Sequence, residues 1–255
     1  MKRNDRIVVK TPAQLDGCRR AGEKAADVLR ILCGAVRPGV TTKALDDLAR
    51  DTMAALGCRS ADFGYYGYPA QTCISVNEAV IHGVPKESVV IRDGDLVSID
   101  ITVQFEGFVG DNARTVIVGE GTSESRAFVE WTEEALRAGI AAARAGNRVG
   151  DISHAVETVA NRHGLGIVRE YVGHGCGIDM HEGPEIPNYG APHAGPVLRE
   201  GMVVCIEPML TLGSRRIKTL KDGWTVVTAD GSLACHSEQM LAITASGPAE
   251  ILTPR

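Results

Sequence analysis

The chain has 255 residues, 44% of them hydrophobic and 23% charged, with a net charge of −5, the balance of an ordinary folded globular protein rather than a disordered one. With 27 Lys and Arg against 32 Asp and Glu, it lacks the clustered basic charge of a dedicated nucleic-acid surface. No stretch approaches the roughly 18 apolar residues of a membrane helix, and the run Ile7 to Val9 is broken by Lys10, so no signal peptide is expected and the cytoplasm is the expected location.

Thr11-Pro12-Ala13-Gln14 predicts a helix start with Thr as N-cap, Pro at N1 and Gln at N3. Leu15, Cys18, Val28, Leu29 and Leu32 follow at helical spacing. Pro38-Gly39 breaks the chain, and Thr41 or Thr42 can cap a second helix carrying Leu45, Leu48 and Leu56, with Gly57 as its stop. A glycine-rich loop, SADFGYYGYPAQ, precedes TCISVNEAVIHGV, which reads as strands interrupted by polar residues. LVSIDITVQFEGFVGDNARTVIV predicts a strand, a turn at Glu106-Gly107 and a second strand. The second half repeats the order: a helix over about 123–145, another near 152–163, then strand-like segments at GIVREYVGHGCG, GMVVCIEPML, GWTVVTAD and SLACHSEQMLAIT. Helices over one face of a largely antiparallel sheet give an α+β class. Without a low-complexity linker between the halves, one domain over 1–255 is expected, with a short extension at 1–10 and halves at about 11–119 and 120–250.

Carboxylates stand where strands seldom carry them. Asp100 follows Leu96-Val97-Ser98-Ile99, Glu207 follows Val203-Val204-Cys205-Ile206, Asp111 lies across the predicted hairpin from Asp100, and Glu238 opens the last apolar run. Any one of them could be an exposed strand end or the partner of an arginine such as Arg114. Four gathered near a sheet centre repel one another unless they are protonated or hold cations. Two divalent metals would resolve the repulsion, and carboxylates joined by one imidazole favour Mn, Fe, Co or Zn. The glycine-rich stretch GHGCGIDMHEGPEIPNYG offers His174 as that imidazole.

Five spaced segments, NEAVIHGVP, SIDITVQFEGFVGDNART, GHGCGIDMHEGPEIPNYG, CIEPML and SEQMLAIT, together resemble the type I methionine aminopeptidase family of M24 metallopeptidases, from about Ile7 to the C-terminus. The resemblance implies a pseudo-twofold "pita-bread" fold: a curved, mostly antiparallel sheet covered by two helix pairs. It implies a hydrolase with two divalent metal ions (Co, Mn, Fe(II) or Zn). Such an enzyme removes the initiator methionine from nascent chains with a small second residue, by attack of a metal-activated hydroxide on the first peptide bond. The implied partners are nascent N-termini met at the ribosome, and no membrane or specific nucleic acid. The metal ligands implied are Asp100, Asp111, His174, Glu207 and Glu238, with Glu207 also shuttling the proton. His82 and His181 correspond to two histidines that contact the peptide and stabilise the tetrahedral intermediate. Tyr65, Tyr68, Cys73, Met180 and Trp224 correspond to the methionine pocket. The chain departs from the pattern at Asp62, Met180 and Ser237-Glu238-Gln239. An acid beside a thioether is disfavoured unless it turns outward, which places Asp62 at the rim.

Rival readings fit less well. Proline-specific aminopeptidases of similar fold carry an extra N-terminal domain, for which this chain has no room, and a binding protein of this fold would be expected to have lost ligands. The seven cysteines include no C-x-x-C pair and read as reduced thiols. A cysteine hydrolase built on Cys176 beside His174 leaves the strand acids unexplained. No long apolar surface stripe points to an oligomer, so a monomer is expected.

Overall fold

The computed structural model describes residues 6–255; positions 1–5 of the expected N-terminal extension lie outside the described residues. Thr11 opens α1 (Pro12–Ala35) with the expected capping box: its hydroxyl accepts from the Gln14 N–H, and the Gln14 side chain accepts from the Thr11 N–H. These bonds satisfy donors that a first helical turn leaves unpaired. Thr41 caps α2 (Thr42–Ala55) by accepting from the Ala44 N–H. The chain continues through β1 (Arg59–Ser60), β2 (Cys73–Val76) and β3 (Ala79–Ile81) into a long hairpin of β4 (Leu96–Phe105) and β5 (Phe108–Ile117). Glu106 and Gly107 make its turn, both at positive φ (50° and 85°), the backbone twist that suits a two-residue hairpin loop.

The second half starts with α3 (Ser123–Ala142) and α4 (Val149–Arg162). α3 stops three residues short of the predicted end because the Asn147 side chain donates to the Ala142 carbonyl and Gly146 N turns away to Leu198 O. α4 begins before Ile152 because the Asp151 carboxylate accepts from the Arg148 N–H, a cap that apolar spacing does not reveal. Then come β6 (Gly166–Ile167), β7 (Gly173–Gly175), β8 (Glu182–Ile186), β9 (Val203–Ile206), β10 (Met209–Thr211), β11 (Ile217–Thr219), β12 (Val226–Thr228), β13 (Ala234–His236), β14 (Glu238–Ala242) and β15 (Glu250–Ile251). Three segments that read as single strands are each split, at 168–172, at 207–208 and at Ser237.

The main sheet runs β1-β4-β5-β14-β9-β7-β8, with β2 also on β4 and β15 on β14. Its pairings are antiparallel, and two three-stranded sheets, β13-β10-β6 and β11-β12-β3, flank it. The architecture is therefore the α+β arrangement expected. Each helix pair has its own apolar core. Val28, Leu32, Leu45 and Met53 pack with Ile99, Ile101 and Val103 of β4, and Phe128, Leu136, Ile152 and Val156 pack with Val204, Ile206 and Leu241. Successive strand side chains alternate between faces, so the residues between these apolar ones turn away from the helices.

α1 lies against β5 at backbone distance. A Cβ on Gly110 would sit 2.3 Å from the Ala21 carbonyl oxygen, whereas one on Gly34, near the end of the same helix, would meet nothing within 4 Å. Gly110→Ala is therefore expected to destabilise by about 1–3 kcal/mol through overpacking, and Gly34→Ala to stabilise by up to about 1 kcal/mol. Urea unfolding of the two variants should show shifts of opposite sign.

Candidate metal centre and substrate cavity

The register of the central strands gathers the acids. Thr102 of β4 faces Asp111 of β5, and Asp100 faces Ala113, so the two aspartates are diagonal neighbours on the face away from α1. Ala113 in turn faces Glu238 of β14. His174 of β7 pairs with Cys205 of β9, two residues before Glu207. Carboxylate oxygens of Asp100, Asp111 and Glu238 lie within 4.8 Å of one another, and so do donor atoms of His174, Glu207 and Glu238. His174 Nε2 stands 3.5 Å from Glu207 Oε1 and 3.8 Å from Asp111 Oδ2. All five residues line one cavity of about 470 Å³.

Burial raises the carboxyl pKa values of Asp100, Asp111 and Glu238, and at Asp100 and Glu238 the neighbouring acids add to it; Asp111 is pushed up to about 7. Among the described residues no Lys or Arg is paired with these three, and Glu238 Oε1 is buried without a hydrogen-bond partner. Acids buried in this way must keep protons or meet cations. Hard carboxylate oxygens with one imidazole, in two overlapping groups that share Glu238, fit divalent cations of the Mn, Fe, Co and Zn type.

The two other predicted histidines line the same cavity. His82 follows β3 with φ of 54°, an uncommon conformation for a non-glycine residue that marks a constrained position. Its ring lies edge-on to Tyr171 and Trp224, and burial lowers its pKa to about 4, so it is neutral near pH 7. His181 Nδ1 lies 2.8 Å from the Tyr65 hydroxyl, and its ring packs 4.4 Å from that of His174.

The five predicted pocket residues also line the cavity. Tyr65 belongs to a 3-10 turn, Tyr65–Gly67. Tyr68 donates to the carbonyls of Thr72 and Gly83 and meets the edge of Trp224, while Met180 and Cys73 are buried. Asp62 differs from expectation. Instead of turning outward it lines the cavity, where its Oδ2 accepts from the Thr102 N–H at 3.0 Å. Burial, then the charge of Asp111, pushes its carboxyl up to about 8, and a neutral acid is tolerable beside a thioether. The departure at Ser237-Glu238-Gln239 is braced from outside the cavity: Gln239 Nε2 donates to Thr253 O, and Arg255 donates to Ser237 Oγ and Glu238 O.

His236 was not among the sequence candidates. Its Nε2 lies 3.7 Å from Glu207 Oε2, both ring nitrogens are buried without hydrogen-bond partners, and burial lowers its pKa to about 3. The available signal was its position two residues before Glu238, which puts both on one side of an extended chain. Cys176, the rival nucleophile, is fully buried. Its bond with Cys205 draws its pKa down, but burial together with the charges of Asp111 and Glu182 leaves it raised, whereas a reactive cysteine needs a lowered pKa and access.

Residues 16–245 match the family described as metallopeptidase family M24. The methionine aminopeptidase of Clostridium acetobutylicum is 44% identical over 247 residues, 97% of this chain and 98% of the relative. That of Treponema pallidum is 48% identical over 248 residues, 97% of this chain and 96% of the relative. The crystal structure of methionine aminopeptidase from Thermotoga maritima superposes with a TM-score of 0.95 at 41% identity, covering 98% of this chain and 100% of that one. The prolidase of Pyrococcus furiosus, at 23% identity and a TM-score of 0.77, shares the fold alone.

A carboxyl whose pKa is raised on folding favours the folded state at low pH and loses that contribution as pH rises through the folded value. For Asp111 the window runs from about 4 to about 7. Metal-stripped protein is therefore expected to lose stability relative to its Asp111→Asn variant as pH rises across this window. Thermal melts of the two from pH 4 to pH 8, with and without Mn(II), check this; Mn(II) should remove the wild-type deficit at the upper end.

Proposed function

The chain belongs to metallopeptidase family M24 and is a metal-dependent aminopeptidase acting on N-terminal methionine, and we propose how its residues divide that work. The observation that carries the reading is convergence: five metal donors, two further histidines and an aromatic, sulfur-lined pocket share one cavity. Asp100, Asp111, His174, Glu207 and Glu238 would hold two divalent ions. When bound, the metals supply Lewis acidity, which acidifies water and polarises a carbonyl.

Glu207 takes the proton of the attacking water and passes it to the leaving amine. Its carboxylate, at the edge of the donor set and facing His174 and His236, suits general acid–base work. His82, kept neutral by burial, and His181 donate N–H bonds to the peptide and to the oxyanion that forms, the preorganised donors that stabilise developing charge. Tyr65 holds one nitrogen of His181 and thereby orients the ring. Tyr65, Tyr68, Cys73, Met180 and Trp224 receive the methionine side chain, since aromatic faces and sulfur suit a thioether. Asp62 closes this wall as a neutral carboxyl bonded to Thr102.

The residues act as one catalytic domain, because β5 and β14 pair across the two halves. The substrates in this reading are nascent chains with a small second residue, met at the ribosome by a monomer in the cytoplasm. Among the described residues no helix is long and apolar enough to cross a membrane.

The test strips the protein with chelator, restores Mn(II), Fe(II), Co(II) or Zn(II) singly, and measures methionine release from Met-Ala-Ser and Met-Leu-Ser. Cleavage of Met-Ala-Ser restored by metal, with weak cleavage of Met-Leu-Ser, is expected. Glu207→Ala and His82→Ala should each lose about 100-fold or more in kcat. A folded protein that releases no methionine with any metal would overturn the assignment of roles.

A further inference from the structure

Below the cavity, the segment before α1 reaches into the loop between β7 and β8. Lys10 Nζ bonds Glu182 Oε2 at 2.5 Å, and both side chains are completely buried. The other oxygen of Glu182 accepts from the N–H groups of Ile178 (2.8 Å) and Asp179 (3.0 Å). One carboxylate therefore ties the loop to itself and to the N-terminal segment. The same segment is stitched on either side: Gly183 N donates to Arg6 O, and Lys10 N donates to Gly201 O. Ile7 bridges to Gly183, and Val9 to Met202. Gly177 makes the approach possible, because at its φ of +118° a Cβ would sit 2.7 Å from Cys18 Sγ and 3.2 Å from Lys10 Cε.

The loop so held carries Met180 and His181, which line the cavity, and His181 is covalently next to Glu182. A buried ion pair between well-separated parts of a chain adds little net stability over an apolar pair of equal volume. What it supplies here is a fixed position for a short loop that contains no regular structure of its own. We propose that Lys10 and Glu182 are positioning residues for the reaction: their buried bond sets the loop that presents His181 to the substrate. This rests on the role given above to His181. Lys10 is not among the residues that line the cavity, so its effect passes through the loop.

The test compares Lys10→Met/Glu182→Gln, which removes both charges together and keeps a Gln oxygen for the Ile178 and Asp179 N–H groups, in wild-type and His181→Ala backgrounds. Displacement of a catalytic group by about 1 Å costs on the order of 100-fold, so the pair of substitutions is expected to lower kcat for Met-Ala-Ser by about 10- to 100-fold in the wild-type background. In the His181→Ala background the same substitutions should cost less than about threefold, because coupled residues are non-additive. Mn(II) affinity by calorimetry should be unchanged. An equal loss in both backgrounds, or a matching loss of Mn(II) affinity, overturns the inference and leaves the role of His181 standing. A His181→Ala variant as active as wild type removes that role and the inference with it. If the double variant lacks a cooperative melt, Lys10→Met alone takes its place in the same cycle, since Glu182 then keeps its bonds from the Ile178 and Asp179 N–H groups and can take up a proton.

Discussion

Carboxylates that repel one another in a buried place are the constraint on which the rest of the structure depends. Asp100, Asp111 and Glu238 arise from three neighbouring strands of one sheet, and among the described residues no arginine or lysine pairs with their carboxylates. In β4 the adjacent side chains point into a helix-covered core, as Ile99 and Ile101 do on either side of Asp100. A shift of register by one residue would drive an acid into that core and an isoleucine into the cavity. Asp100 thus tolerates one register only, and the isoleucines on either side of it enforce that register.

Burial acts on acids and imidazoles in the same sense, toward neutrality, with opposite consequences for chemistry. It raises the pKa of the carboxyls, which become anionic ligands only when a cation compensates. It lowers those of His82 and His236, leaving neutral rings able to donate or accept near pH 7 without competing for that cation's place. Asp62 falls on the same side of this division. Its carboxyl, pushed up to about 8 and held by Thr102, behaves as a polar neutral wall, and an apolar substrate side chain can lie beside it.

Much of this was legible because it is local. The capping box at Thr11 and Gln14 and the two-residue turn at Glu106-Gly107 are written within four residues, and both formed as read. The acids stood out because charge in an apolar strand run is unusual. What was hidden depends on distant partners. The two- and three-residue strands β6, β7 and β13 are too short to show a period, and they exist through pairing with β9 and β10. The inward turn of Asp62 depends on the Thr102 N–H, forty residues away. His236 carried no pattern beyond its spacing from Glu238. Lys10 read only as the end of an apolar run, because its partner lies 172 residues on.

The centre belongs to neither half. The first half brings Asp100, Asp111 and His82, and the second brings His174, His181, Glu207 and Glu238. The pairing of β5 with β14, which sets Glu238 opposite Ala113, is what makes them neighbours. Each half has its own helix pair and apolar core, but the donors meet only at the seam. Ordinary hydrophobic burial on both sides therefore holds together a charge cluster that neither side would tolerate unaided, and the buried Lys10–Glu182 bond extends that hold from the N-terminal segment to the loop at the far edge of the cavity.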